Sequence, residues 1–146
     1  MGRELNSANA GVGSRIYIQS IGVCHMKYLW LDEYLLSMKG ATKDFKVEWG
    51  WTRYLIGNKM FAAMCKDAKG ERDIITIKLE PFEGEFLRSQ HEDIIPGYYM
   101  NKEHWNSIYL DGNIADEMMR DLAKKSYHLV LGGLSKKLQK EILGEG

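Results

Sequence analysis

Trp51-Thr52-Arg53-Tyr54-Leu55-Ile56-Gly57-Asn58-Lys59-Met60-Phe61-Ala62-Ala63-Met64-Cys65 is the stretch that decides the fold. Two runs rich in apolar and aromatic residues flank Gly57-Asn58, a two-residue connection of the kind that joins adjacent antiparallel strands. A hairpin over residues 51–65 anchors everything around it. Downstream, Lys69-Gly70 marks a second turn, and residues 73–79 read as a further strand with Ile75, Ile77 and Leu79 on one face. Strands linked by such short turns pair antiparallel, because a parallel pair needs a long crossover.

Working outward, Leu31, Tyr34, Leu35 and Met38 fall at i, i+3, i+4 and i+7, the apolar stripe of a helix that Gly40 stops. Pro81 suits a first helical position, where its missing N–H costs nothing, and Phe82, Phe86 and Leu87 are expected on that helix's inner face. Pro96-Gly97 opens a loop that ends in Asn101-Lys102-Glu103-His104-Trp105. Residues 105–110 read as a strand closed by Asp111-Gly112. Asn113 and Asp116 have the spacing of a capping pair. A longer helix follows, with Ala115, Met118, Met119, Leu122, Leu129 and Val130 expected as its buried stripe, and Gly132-Gly133 ends it. Ser135 caps a last helix whose Leu138 and Ile142 face inward. The order is helix, three or four strands, helix, strand, helix, helix. That order predicts an α+β fold in two layers, an antiparallel β-sheet packed against helices.

Composition bounds the rest. A chain of 146 residues is one domain by size. At that length roughly 68–70% of the unfolded surface is buried on folding, so a core without covalent staples suffices. Lys and Arg number 20 and Asp and Glu number 20, so there is no overall basic excess to attract a polyanion. Cys24 and Cys65 fit neither a C-x-x-C pair nor a zinc spacing, so a reduced, cytoplasmic setting is expected. No apolar run reaches the length of a membrane helix. Segment 6–14 is too poor in apolar residues to order itself. Residues 1–25 are therefore expected to be a flexible extension, 26–146 a single domain, and Met26 the natural start.

Several stretches resemble one family. The run from Gly57 to Ala62 is similar to the G-x-K-x-F-A turn and strand of the MmcQ/YjbR family. Residues 96–105 resemble its P-G-Y-H-M-N-K-x-H-W signature, with Tyr99 where the family usually has His. Gly40-Ala41-Thr42, Leu110-Asp111-Gly112, Ser126-Tyr127 and Leu129-Val130 match as well. The resemblance spans roughly residues 26–143. It implies a fold similar to bacterial frataxin, a CyaY-like two-layer architecture, and a DNA-binding role with a double-wing arrangement.

The chemistry of individual residues weighs that implication. Lys102 and His104 offer donors to phosphate and Asn101 an amide, while Trp105 is expected to serve core packing. Asn101 capping a turn and Lys102 as an ordinary surface charge are the competing structural readings. Lys59 sits beside the hairpin turn, where a lysine either grips phosphate or guards a sheet edge. Lys136, Lys137 and Lys140 make the most basic patch, either an anion-binding face or a solvated one. No catalytic residue, metal ligand set or cofactor motif is expected. The spacing of His25, His91, His104 and His128 suits no metal, and Cys65 reads as a buried hydrophobe. The expectation is a non-catalytic monomer that binds DNA weakly through phosphates, using Lys59, Asn101, Lys102, His104, Lys136, Lys137 and Lys140. The alternative is a protein-interaction or small-ligand module that uses loop 98–105.

Overall fold

A computed structural model describes residues 26–97 and 100–144. After a single 3₁₀ turn at Met26–Tyr28 come α1 (Leu31–Leu36), β1 (Thr42–Lys46), β2 (Trp51–Ile56), β3 (Lys59–Lys66) and β4 (Asp73–Lys78). Then follow α2 (Pro81–Gln90), β5 (Ile94–Pro96), β6 (Trp105–Tyr109), α3 (Asp116–Gly132) and α4 (Lys136–Leu143). The six strands form one sheet in the spatial order β1-β2-β3-β4-β6-β5, and every neighbouring pair is antiparallel. The fold is α+β, as the turn pattern predicts. Among the described residues no helix is long and apolar enough to cross a membrane. The expected extension over 1–25 lies outside the described residues, as do Cys24, His25, Tyr98 and Tyr99.

The β2–β3 hairpin turns at Gly57 and Asn58 with φ of 57° and 66°. Positive φ at both central positions is the type I′ geometry, which matches the right-handed twist of the strands. Tyr54 pairs with Ala62 but Leu55 pairs with Met60, so Phe61 is the extra residue of a β-bulge. Phe61 is fully buried and its ring meets Tyr127 of α3 edge-on at 5.4 Å. The Phe61 carbonyl accepts from Ser126 Oγ at 2.6 Å, and the same Oγ accepts from the Lys78 amide at 2.8 Å. One buried hydroxyl of α3 thereby satisfies two backbone groups of β3 and β4 at the bulge, where an unpaired amide or carbonyl would be costly.

One face of the sheet carries Tyr54, Ala62, Met64, Ile75, Ile77 and Ile108, and the helices close over it. α3 buries Met119, Leu122, Ala123, Ser126, Tyr127, Val130 and Leu131, a continuous stripe at helical spacing. This corrects the expected stripe in part. Ala115 is exposed and is the N-cap, while Met118 and Leu129 are only partly buried. The Asn113–Asp116 capping pair does not form. Asn113 Oδ1 accepts instead from Lys27 Nζ at 3.2 Å, and no side chain caps α3.

A second correction concerns α2. Leu87 faces the core, but Phe82 and Phe86 are 84% and 57% exposed. The reason lies in Gly84, which sits directly over Asn106 of β6. A Cβ there would stand 2.9 Å from Asn106 Nδ2. With Gly84 turned inward, residues two places before and after it lie about 200° around the helix, on the outer side. The expected loop opening at Pro96-Gly97 is preceded by a short strand, β5, which Pro96 ends on the sheet edge, where a missing N–H leaves no ladder bond unmade.

Candidate nucleic-acid interface

Four of the seven expected contacts gather at one end of the molecule. α4 and Leu134 just before it dock against the hairpin turn so closely that a Cβ on Gly57 would stand 2.7 Å from Leu134 Cδ1 and 3.1 Å from Leu138 Cδ2. At its other end Ile142 approaches Gly40. Lys59, two residues past Gly57, is therefore carried beside the helix that bears Lys136, Lys137 and Lys140, and all four are exposed. Ser135 caps α4 by accepting from the Leu138 amide at 3.2 Å, as the sequence predicts. Lys136 and Lys137 then occupy the first helical turn, which contains no acidic residue. Cations are unfavourable at the positive end of a helix dipole, so this arrangement concentrates positive potential rather than neutralising it.

Elsewhere five cations are paired with carboxylates. Arg53 grips Asp44 through Nε at 2.9 Å and Nη2 at 2.6 Å. Arg72 does the same to Asp111, with its shortest contact at 2.6 Å. Lys43 meets Asp32 at 2.9 Å, Lys66 meets Asp73 at 3.3 Å, and Lys125 meets Glu83 and Asp121. These contacts hold the Asp44 and Asp111 carboxyls below their ordinary range, chiefly through the arginine hydrogen bonds. No carboxylate among the described residues pairs with Lys59, Lys136, Lys137 or Lys140.

The remaining three expected contacts lie elsewhere. Asn101 Oδ1 accepts from the Glu103 amide at 2.7 Å, and its carbonyl accepts from the Trp105 amide at 2.9 Å, so Asn101 shapes the turn into β6. His104 is half-buried and its carbonyl holds the Leu79 amide at 2.8 Å. Lys102 lines a cavity of about 240 Å³ with Asp67, Lys69, Ile74, Ser107 and Tyr109, on the sheet face opposite the helices. α4 belongs to the helical layer, so the loop residues and the α4 lysines do not share one patch. Trp105 is half-buried, with its backbone and Cβ against Gly97.

The face opposite the helices holds a feature that sequence reading missed. Trp49, Trp51, Arg53, Met60 and Met100 line an open cleft of about 580 Å³. The two indoles meet edge-on at 5.2 Å. The Trp49-Gly50-Trp51 triplet was its visible signal, and only the fold brings Met60 and Met100 to it. Cys65 is buried, and burial pushes its thiol up to about 12, in keeping with a structural role. Among the described residues no three His, Cys, Asp or Glu side chains gather as a metal site.

Comparison with known proteins follows the fold closely. A family model described as YjbR matches residues 36–129. The uncharacterised protein YjbR of Escherichia coli K12 is 31% identical over 110 residues, which cover 75% of this chain and 92% of that protein. The uncharacterised protein YyaQ of Bacillus subtilis is 39% identical over 75 residues, covering 51% of this chain and 63% of that one. The crystal structure of Deinococcus radiodurans protein DR2400, with a DUF419 domain, superposes with a TM-score of 0.68 at 29% identity. That match covers 77% of this chain and 84% of DR2400.

Proposed function

The chain belongs to the YjbR family, and from its own surface we propose that it binds nucleic acid weakly and without catalysis, as a monomer. Lys59 and the Lys136, Lys137 and Lys140 face of α4 supply the phosphate contacts. The observation that carries this reading is the gathering of four exposed lysines at one end of the molecule. Lys43, Arg53, Lys66, Arg72 and Lys125 are held by carboxylates, while among the described residues no carboxylate pairs with these four. Their placement at a helix N-terminus and a hairpin tip suits a phosphate backbone, which takes positive charge and backbone N–H groups without reading sequence. The β2–β3 hairpin then acts as one wing. Asn101, Lys102 and His104 give no phosphate contact in the same patch.

The test is fluorescence anisotropy of labelled duplex and single-stranded DNA titrated with the full chain at several salt concentrations. Four phosphate contacts correspond to a duplex salt slope of about −3.6 and dissociation constants of order 10⁻⁴–10⁻⁶ M. Changing Lys136→Gln and Lys137→Gln together should shallow the slope by about 2 and weaken all sequences alike. Binding that ignores salt, or is unchanged in the double variant, overturns the reading.

A second reading is favoured by the tryptophan cleft, which suits a small planar ligand or an apolar side chain. Quenching or shifting of Trp49 and Trp51 fluorescence on ligand addition, lost in Met60→Glu, would support it. Such a signal is insensitive to salt, which separates the two readings.

A further inference from the structure

We propose that the outer face of α2 is a docking surface for a basic, amphipathic segment of a partner polypeptide. Phe82 and Phe86 stand one helical turn apart and form a single aromatic stripe. They are 84% and 57% exposed. They cannot roll inward, because Gly84 lies against Asn106 and Arg88 Nη1 donates to Asn106 Oδ1 from the same helix. The stripe borders a concavity of about 410 Å³ lined by Pro81, Phe82, Glu85, Arg88 and Glu103. An aromatic patch with a polar rim is the usual anatomy of an interaction site.

Charge selects the partner. Glu80, Glu85 and Glu103 are exposed around the stripe, and among the described residues no ion pair engages them. Arg88 is turned to Asn106, and Glu83 is engaged by Lys125. Arg88 lines the same concavity and keeps its charge against the neutral Asn106, but Glu80, Glu85 and Glu103 outnumber it, so the rim is net acidic, which repels a phosphate backbone and attracts lysine or arginine. A segment with apolar residues at helical spacing covers the two rings, and its flanking cations reach Glu85 and Glu103. Cations held over Phe82 or Phe86 gain ring attraction in addition. This surface is separate from the α4 lysines and stands whether or not they bind nucleic acid.

The experiment titrates the ¹⁵N-labelled full chain with a synthetic amphipathic peptide of Leu and Lys, and in parallel with its Leu and Glu counterpart, followed by heteronuclear NMR. The expected result is saturable shifts confined to residues 80–89 and Glu103 with the Lys peptide alone. Phe82→Ser with Phe86→Ser should weaken binding about ten-fold or more. Glu85→Gln with Glu103→Gln should weaken it less and remove most of its salt dependence. All four residues are exposed, so unchanged spectral dispersion confirms that the variants fold. Shifts elsewhere, equal binding of the Glu peptide, or binding that survives the double Phe change would overturn the proposal. So would a concentration-dependent dimer that disappears in the Phe variant, because the occupant would then be a second copy of the chain.

Discussion

α3 and α2 pack on the same face of the same sheet and do opposite things with their apolar residues. α3 is 17 residues long, turns seven residues into the core and joins the strands through the Ser126 hydroxyl. α2 is 10 residues long, buries only Gly84 and Leu87, and carries two phenylalanines on its outer side. The difference teaches that apolar content does not by itself say which way a helix faces. Close approach does: Gly84 lets α2 lie on Asn106, and that contact sets the rotation of the whole helix. One helix holds the fold together and the other presents a surface.

The contrast can be broken most directly in α3. Leu122→Ala should lower stability by about 2–5 kcal/mol in denaturant unfolding, the usual range for a truncated core leucine. Ser126→Val should cost about 2–4 kcal/mol, because the Phe61 carbonyl and the Lys78 amide both lose their partner. A neutral Ser126→Val would mean that the bulge is not held from α3. Gly84→Ala comes next, at about 1–3 kcal/mol, since its Cβ must displace Asn106. The same change made in an Asn106→Ala background should cost about 1 kcal/mol less, a coupling that a double-mutant cycle measures. An additive cycle would show that Asn106 does not set the rotation of α2. The smallest effect belongs to Phe82→Ser with Phe86→Ser, expected within about 0.5 kcal/mol of the parent. A loss as large as that of Leu122→Ala would erase the distinction between the two helices. Amide hydrogen exchange sharpens it further. The α3 core amides should exchange only through global unfolding, while those of α2 exchange through smaller openings.

Much of this was legible in local sequence. Gly57-Asn58 announced its turn because only residues tolerant of positive φ fit both positions, and the structure has φ of 57° and 66° there. Pro81 and Ser135 marked their helix starts for reasons confined to their own backbone neighbours. The α3 stripe was seen in outline, but Ser126 and Tyr127 fell out of it because they are polar. Their burial depends on partners far along the chain, Phe61 and Lys78 for Ser126 and the Lys39 carbonyl for Tyr127. The short strand β5 escaped because three residues carry no periodicity.

For the candidate site the division is sharper. The basic residues were visible as residues, but whether a lysine is paired depends on which carboxylate the fold brings to it. Arg53 and Asp44 are nine positions apart on neighbouring strands, and Arg72 and Asp111 are 39 apart beside the paired ends of β4 and β6, where only the sheet's register brings them together. The sequence by itself determined the turns, the helix starts and stops, and an α+β order, because these follow from φ preferences, capping and local periodicity. The tertiary structure alone decided that Phe82 and Phe86 face outward, that Met60 and Met100 close a cleft beside Trp49 and Trp51, and that Lys59 joins the three α4 lysines at one end. Those outcomes depend on approach between segments distant in the chain, and no local pattern encodes a distance.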